Sequence, residues 1–346
     1  LSDAVSFYKV EDSSASIHLR QCRLALWIPV SPCGMRFLTL LVPLTLMAAA
    51  DLTPDPAVIR GTLDNGMGYA VMANQQPKDK VTLRLQVQCG SLQENGPQRG
   101  LAHFLEHLAF NGTTNYPPGT LVERLQHLGL AFGAHTNAHT SFDETVYKLD
   151  LPDASAVTIA TGLGVMADWA GGMLLAPAEV DKERGIILSE LRDRDGANLR
   201  LARARYAANY QGTIIGDRLP IGIAETITAA DRPLIAAYYA AFYRPERMIL
   251  VVVGAVDPVA VVAQVRTTMG AVVANGAAVA TPTLGELTLA ESPVVVTRVD
   301  PEADDTTIHL VRVMPEPRPV DGVAHRRDEL VRALAEGVLA RRISAL

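Results

Sequence analysis

Residues His103-Phe104-Leu105-Glu106-His107 constrain this chain more than any other stretch, because two imidazoles and a carboxylate at this spacing share a surface only on a helix. An α-helix turns about 100° per residue, so His103 and His107 project about 40° apart and Glu106 lies about 60° to the other side of His103. Neutral imidazoles suit Zn²⁺, and a carboxylate beside the ion that does not bind it can take a proton from a metal-activated water. The order H-x-x-E-H inverts the commoner H-E-x-x-H of zinc hydrolase helices. From Gly100 to Phe110 the flanking and intervening positions are apolar, as a buried helix requires when its polar face meets a metal. The alternative is a core helix with hydrogen-bonded histidines. Placing three polar groups on one apolar face carries a desolvation cost that an ordinary core has no reason to bear.

A third protein ligand has to come from another element. Residues 179–194 are rich in charge yet apolar at 180, 186, 187, 188 and 191, the mark of a helix packed along one side. Glu183 and Glu190 are seven residues apart, close to two turns, and so fall on one face about 10 Å from each other. One can bind the ion while the other orients a ligand histidine through its free ring nitrogen.

Further blocks accompany these in order. They are Leu63-Asp64-Asn65-Gly66-Met67, Gly90-Ser91 with Glu94, Phe110-Asn111-Gly112-Thr113, Asn137-Ala138-His139-Thr140-Ser141 and Glu144-Thr145-Val146-Tyr147. Glu183-Arg184 through Glu190, Leu219-Pro220-Ile221-Gly222 and Tyr243-Arg244-Pro245 follow, the last leading into Met248 to Gly254. Over roughly residues 57–346 the chain thereby resembles the pitrilysin/insulinase family of inverted-zincin metallopeptidases. The resemblance implies one Zn²⁺ per chain on His103, His107 and Glu190, with Glu183 in support and Glu106 as general base in peptide-bond hydrolysis. Counting from the second histidine gives a competing ligand, since relatives often show a gap in the seventies and Glu183 is 76 residues past His107, whereas Glu190 is 83 past it. A loop insertion within 128–135 absorbs that difference, so Glu190 is the expected ligand. The resemblance also places Asn137 on an edge strand near the metal, where it would hold the main chain of a bound peptide.

Pattern supplies the rest. Strands are expected near 58–63, 68–73, 81–88, 144–150 and 248–254, and helices near 119–129, 154–174, 179–195, 230–241 and 258–269. This is an α+β domain over residues 51–270, a mainly antiparallel sheet with helices packed on it. Residues 271–286, rich in Ala, Gly and Thr, read as a linker. The pattern beyond 287 gives strands near 293–299 and 306–313 and a helix over 322–345, and the resemblance implies that these begin a second, similar domain of substrate-contact function, truncated at 346. The missing remainder of that domain is then the first partner expected of this chain.

Met35-Arg36, the apolar run from Phe37 to Met47 and Ala48-Ala49-Ala50 have the marks of a secretory signal peptide over 35–50, with 1–34 as upstream, non-native leader or, alternatively, part of a longer native leader. The run is too short for a membrane span, and a periplasmic or secreted location follows. A net charge of −6 without basic runs argues against nucleic-acid binding. Of the three cysteines, only Cys89 would remain in the mature chain, as a small strand residue. His135 and His139 would stand about 13 Å apart on an extended strand, too far to share an ion, and His127 reads as helix surface.

The function expected is a zinc endopeptidase acting on peptides or unfolded segments. The alternatives are a catalytically silent partner subunit of the same family, or a peptidase that processes a modified peptide in cofactor biosynthesis.

Overall fold

The computed structural model of the chain describes residues 52–345 except 132, 134, 291, 310, 312 and 314–320. The expected leader and signal peptide, with Cys22 and Cys33, lie outside the described residues. Two compact units divide between Asp304 and Asp305.

The unit from Asp55 to Asp304 is built on a mixed sheet. Its strands are β1 (Val58–Thr62), β2 (Gly68–Ala73), β3 (Val81–Val87), β4 (Thr136–Thr140), β5 (Thr145–Leu151) and β6 (Met248–Gly254), in the order β1-β2-β6-β3-β5-β4. All neighbours are antiparallel except β2 with β6. Val81, Leu83, Leu85 and Val87 are buried while Thr82, Arg84 and Gln86 between them are half-buried, so β3 presents one face to the core. Register carries that face across the sheet, with Leu83 opposite both Leu149 and Val252. The other face is polar where Arg84 meets Asp150 at 2.8 Å and Thr82 donates to it at 2.9 Å.

The helices of this unit are α1 (Leu101–Leu108), α2 (Thr120–His127), α3 (Ala156–Gly171), α4 (Pro177–Arg194), α5 (Ala197–Asn209), α6 (Ala224–Ala229), α7 (Arg232–Phe242) and α8 (Pro258–Thr268). The Tyr147 ring lies 5.1 Å from Trp169 of α3, and its hydroxyl meets that of Tyr243 at 2.7 Å. Trp169 also donates through Nε1 to the carbonyl of Ala109 at 2.9 Å, which ties α3 to the end of α1. These contacts fix α1 against the apolar face of the sheet.

Three features depart from what pattern alone suggests. Helix α5 goes beyond the expected elements, because its residues bury no apolar stripe. The expected strand at 293–299 runs as irregular chain, as do the described residues of 306–313. A strand needs a neighbour for its backbone groups, and none of the described residues supplies one. Finally, the expected linker packs onto the sheet unit, where Thr213 and Gly285 form an antiparallel bridge and Ile214 donates to Leu284 O at 2.9 Å.

In the unit from Asp305 onward, the described residues form α9 (Val323–Ser344), which buries no residue. No helix among the described residues is long and apolar enough to cross a membrane.

Candidate metal centre

The position of α1 is set at its first turn. Gly100 precedes the helix with φ 99°, a left-handed conformation that L side chains rarely adopt, and it offers no side-chain cap. Glu94, fully buried, takes that role by accepting from Gly100 N at 3.0 Å and Ala102 N at 2.9 Å. Burial pushes its pKa up to about 8, against the pull of those two amides and of Arg218 and Arg99. Gly222 closes the same corner. A Cβ there would stand 2.6 Å from Gly100 Cα, so only glycine lets the two backbones approach.

With α1 fixed, His103 and His107 turn their Nε2 atoms toward each other at 3.2 Å. Val180, Glu183, Ile187 and Leu191 form the buried stripe of α4 and dock it beside α1. Glu190 Oε2 then comes within 3.8 Å of His103 Nε2 and 3.5 Å of His107 Nε2. Two turns earlier, Glu183 Oε1 meets the other ring nitrogen of His107, Nδ1, at 2.7 Å, and Glu183 Oε2 accepts from Asn111 Nδ2 at 2.5 Å. The hydrogen bond to Glu183 fixes the His107 tautomer and leaves Nε2 with its lone pair.

The three convergent atoms fit a metal ion. All lie within 4.8 Å of one another, and neighbouring ligand atoms of a tetrahedral zinc stand about 3.4 Å apart. The donor set, two imidazole nitrogens and one carboxylate oxygen, is that of a hydrolytic zinc site with a position left for water. Burial, then the neighbouring His107 and Arg194, hold His103 down to about 3, so its ring is neutral as a metal ligand requires. His103 Nδ1 is buried without a hydrogen bond, which leaves Nε2 as the ring's polar contact. For His107 burial opposes charge, but the hydrogen bond that its ring donates to Glu183 and the carboxylates around it prevail and raise the pKa.

Glu106 lies on the same face of α1 and is tied to the sheet, since Thr140 donates to its Oε2 at 2.6 Å. Burial raises its pKa, against the Thr140 hydrogen bond and His107. Arg194 closes the rim, with Nη2 2.7 Å from Glu190 Oε1.

The remaining candidates stand apart. Asn137 is on edge strand β4, exposed, with Oδ1 accepting from Ala138 N at 2.9 Å. It differs in parity from Thr140, so the two side chains leave opposite faces of the strand. His135 Nδ1 accepts from Ala131 N, and His139 and His127 face Glu144 and Glu123 at 3.6 Å. Cys89 is buried beside the Tyr238 hydroxyl, and burial pushes its thiol up to about 12.

Two family profiles match the chain. The profile described as Insulinase (Peptidase family M16) matches residues 69–219, and that described as Peptidase M16 inactive domain matches 229–335. The chain belongs to the insulinase family. Within it, the chain is similar to the probable zinc protease PqqL of Escherichia coli, 38% identical over 240 residues, 69% of this chain and 26% of that protein. The PqqL protein of Haemophilus influenzae is 35% identical over 59% of this chain and 22% of its own length. The crystal structure of the first half of the periplasmic protease PqqL from Escherichia coli superposes with a TM-score of 0.64 at 36% identity, covering 68% of this chain and 51% of that one. The chain therefore spans about a quarter of the length of the curated relatives it matches.

Three residues of this insulinase-family site escape a reading by motif. Thr140 lies in the stretch Asn137 to Ser141, but only the placing of β4 beside α1 brings it to Glu106. Asn111 follows α1 and reaches Glu183, 72 residues away in sequence. Arg194 carried a local signal, an acid and a base at i and i+4 with Glu190.

Proposed function

We propose that this chain carries the metal-binding and proton-transfer groups of a zinc-dependent endopeptidase that hydrolyses peptides or unfolded segments. The observation that carries the reading is the convergence of His103 Nε2, His107 Nε2 and Glu190 Oε2 beside a half-buried Glu106. In this reading those three atoms hold one Zn²⁺, and Glu183 orients His107. A zinc ion there supplies Lewis acidity, which polarises a peptide carbonyl and acidifies water.

The protein's own groups do the rest. Thr140 occupies Oε2 of Glu106, and Oε1, without a hydrogen bond among the described residues, can accept a proton from the attacking water and pass it to the leaving amine. Burial lifts the Glu106 pKa toward the range in which a carboxylate can both take and return a proton near neutral pH. Asn137, on the exposed edge of the sheet, holds the main chain of a peptide that adds to β4. In the domain assignment proposed here, 35–50 is a signal peptide, 51–270 the catalytic domain, 271–286 a linker that packs back on that domain and 287–346 the beginning of a second domain, the remainder of which is the partner the site requires. The similarity to a periplasmic protease supports a periplasmic or secreted location. A silent partner subunit is not favoured, since neither the ligand set nor the base is missing.

Zinc content by atomic emission tests the assignment on the parent chain beside Glu190→Gln and Glu183→Gln. One zinc per chain, lost chiefly in Glu190→Gln and weakened in Glu183→Gln, is expected. Loss chiefly in Glu183→Gln would reverse the two roles, and a parent without zinc would overturn the reading.

A further inference from the structure

We propose that Arg194 is a positioning residue of the metal centre, which holds the outer oxygen of Glu190 and confines that carboxylate to ligation through one oxygen. The inference rests on Glu190 being a ligand.

The two oxygens of Glu190 are divided. Oε2 faces both histidine Nε2 atoms at 3.8 and 3.5 Å, while Oε1 is 2.7 Å from Nη2 of Arg194. The geometry of α4 sets this division up. Glu190 and Arg194 stand one turn apart with the acid on the N-terminal side, the better order for such a pair. Arg194 is the last residue of α4, where the negative end of the helix dipole favours a cation.

The consequence is a matter of charge and coordination number. Two-oxygen ligation would bring Oε1 to the ion and draw the guanidinium toward a dication. The charge-assisted hydrogen bond and the repulsion between the two cations both oppose that movement. A hydrolytic zinc keeps its fourth position for water, and a carboxylate bound through both oxygens would compete for it. Glu183 offers the contrast: its inner oxygen faces a ring nitrogen, and the neutral Asn111 holds its outer oxygen. The direct ion pair with a guanidinium is made by the carboxylate that would face the ion.

Arg194 is 61% exposed, and exposed pairs contribute little to folding, so its removal reports on the metal centre. The test uses the whole chain, freed of metal, as parent, Arg194→Ala, Arg194→Lys and Glu190→Gln. Each is titrated with Co²⁺ and followed by visible absorption, and zinc affinity is measured by chelator competition, with circular dichroism to confirm folding. Four-coordinate cobalt absorbs more strongly than five-coordinate cobalt. The parent and Arg194→Lys should show the strong band. Arg194→Ala should show a several-fold weaker one, with zinc affinity changed by up to about tenfold. A parent-like cobalt band in Arg194→Ala, while Glu190→Gln loses metal, would overturn the role of Arg194 alone. Full metal retention in Glu190→Gln would instead overturn the ligand assignment, and this inference with it.

Discussion

Glu106 and Glu183 show how single side chains at this site are specialised by what occupies each oxygen. Glu106 has one oxygen tied to Thr140 and one without a hydrogen bond among the described residues, the arrangement a proton carrier needs. Glu106→Gln should therefore keep one zinc per chain and lower peptide turnover by about 10²–10⁴-fold. Zinc loss in that variant, measured by atomic emission, would make Glu106 a ligand and the role assignment wrong. Glu183 is the opposite case, with both oxygens engaged, by His107 Nδ1 and by Asn111 Nδ2. Asn111→Ala frees one oxygen of a buried carboxylate and loosens its hold on the ring. Zinc affinity in a chelator competition should fall about 10-fold, and an unchanged affinity would show that Glu183 is held well enough by His107 alone.

At the scale of elements, the site depends on how α1 begins and on what lies against it. Glu94 accepts from two amides that no other group satisfies at that turn. Glu94→Ala leaves them buried without an acceptor, and stability should fall by roughly 2 kcal/mol or more, read from denaturant unfolding. Gly222→Ala should also disturb the start of α1, because the added carbon meets the Gly100 backbone. A second junction lies between α5 and the segment around residue 300. Arg200 Nε and Nη2 donate to Asp300 at 2.7 and 2.8 Å, and these hydrogen bonds hold the Asp300 carboxyl down to about 2. A depressed carboxyl adds stability above its unfolded pKa of about 3.9, and that stability is lost as pH falls through its folded value. Amide exchange, corrected for its intrinsic pH dependence, should therefore become less protected around 300–303 between about pH 4 and pH 2. Arg200→Ala should remove the pH dependence.

For the whole molecule, the apolar surface of the C-terminal stretch is the dominant fact. Val294, Val295, Val299 and Ile308 are exposed, as are Leu330, Leu334 and Val338 of α9. The chain spans about a quarter of its curated relatives, and we propose that the rest of the second domain supplies the strands and the core that these residues lack. By itself the chain should self-associate. Sedimentation velocity should show mass rising with concentration, and Leu334→Lys combined with Val338→Lys should reduce it. Monodisperse behaviour of the parent would mean that this surface is not adhesive.

The sequence by itself determined whatever depends on local periodicity. His103, Glu106 and His107 share a face because 3.6 residues make a turn, and Glu183 and Glu190 share one for the same reason. The alternation in β3 and β5 reflects a sheet with one dry face and is legible residue by residue, whereas β6 is apolar throughout and its alternation shows only in its burial. Tertiary structure alone decided which carboxylate stands beside both Nε2 atoms, since Glu183 and Glu190 share a face two turns apart and only the height at which α4 packs against α1 sets which of them reaches Nε2 and which reaches Nδ1. It also decided the Thr140 contact with Glu106, which joins residues 34 apart across a strand and a helix. Residues 293–299 show the converse. Their pattern is that of a strand, but a strand is completed only by a neighbour, and pattern cannot say whether one is there.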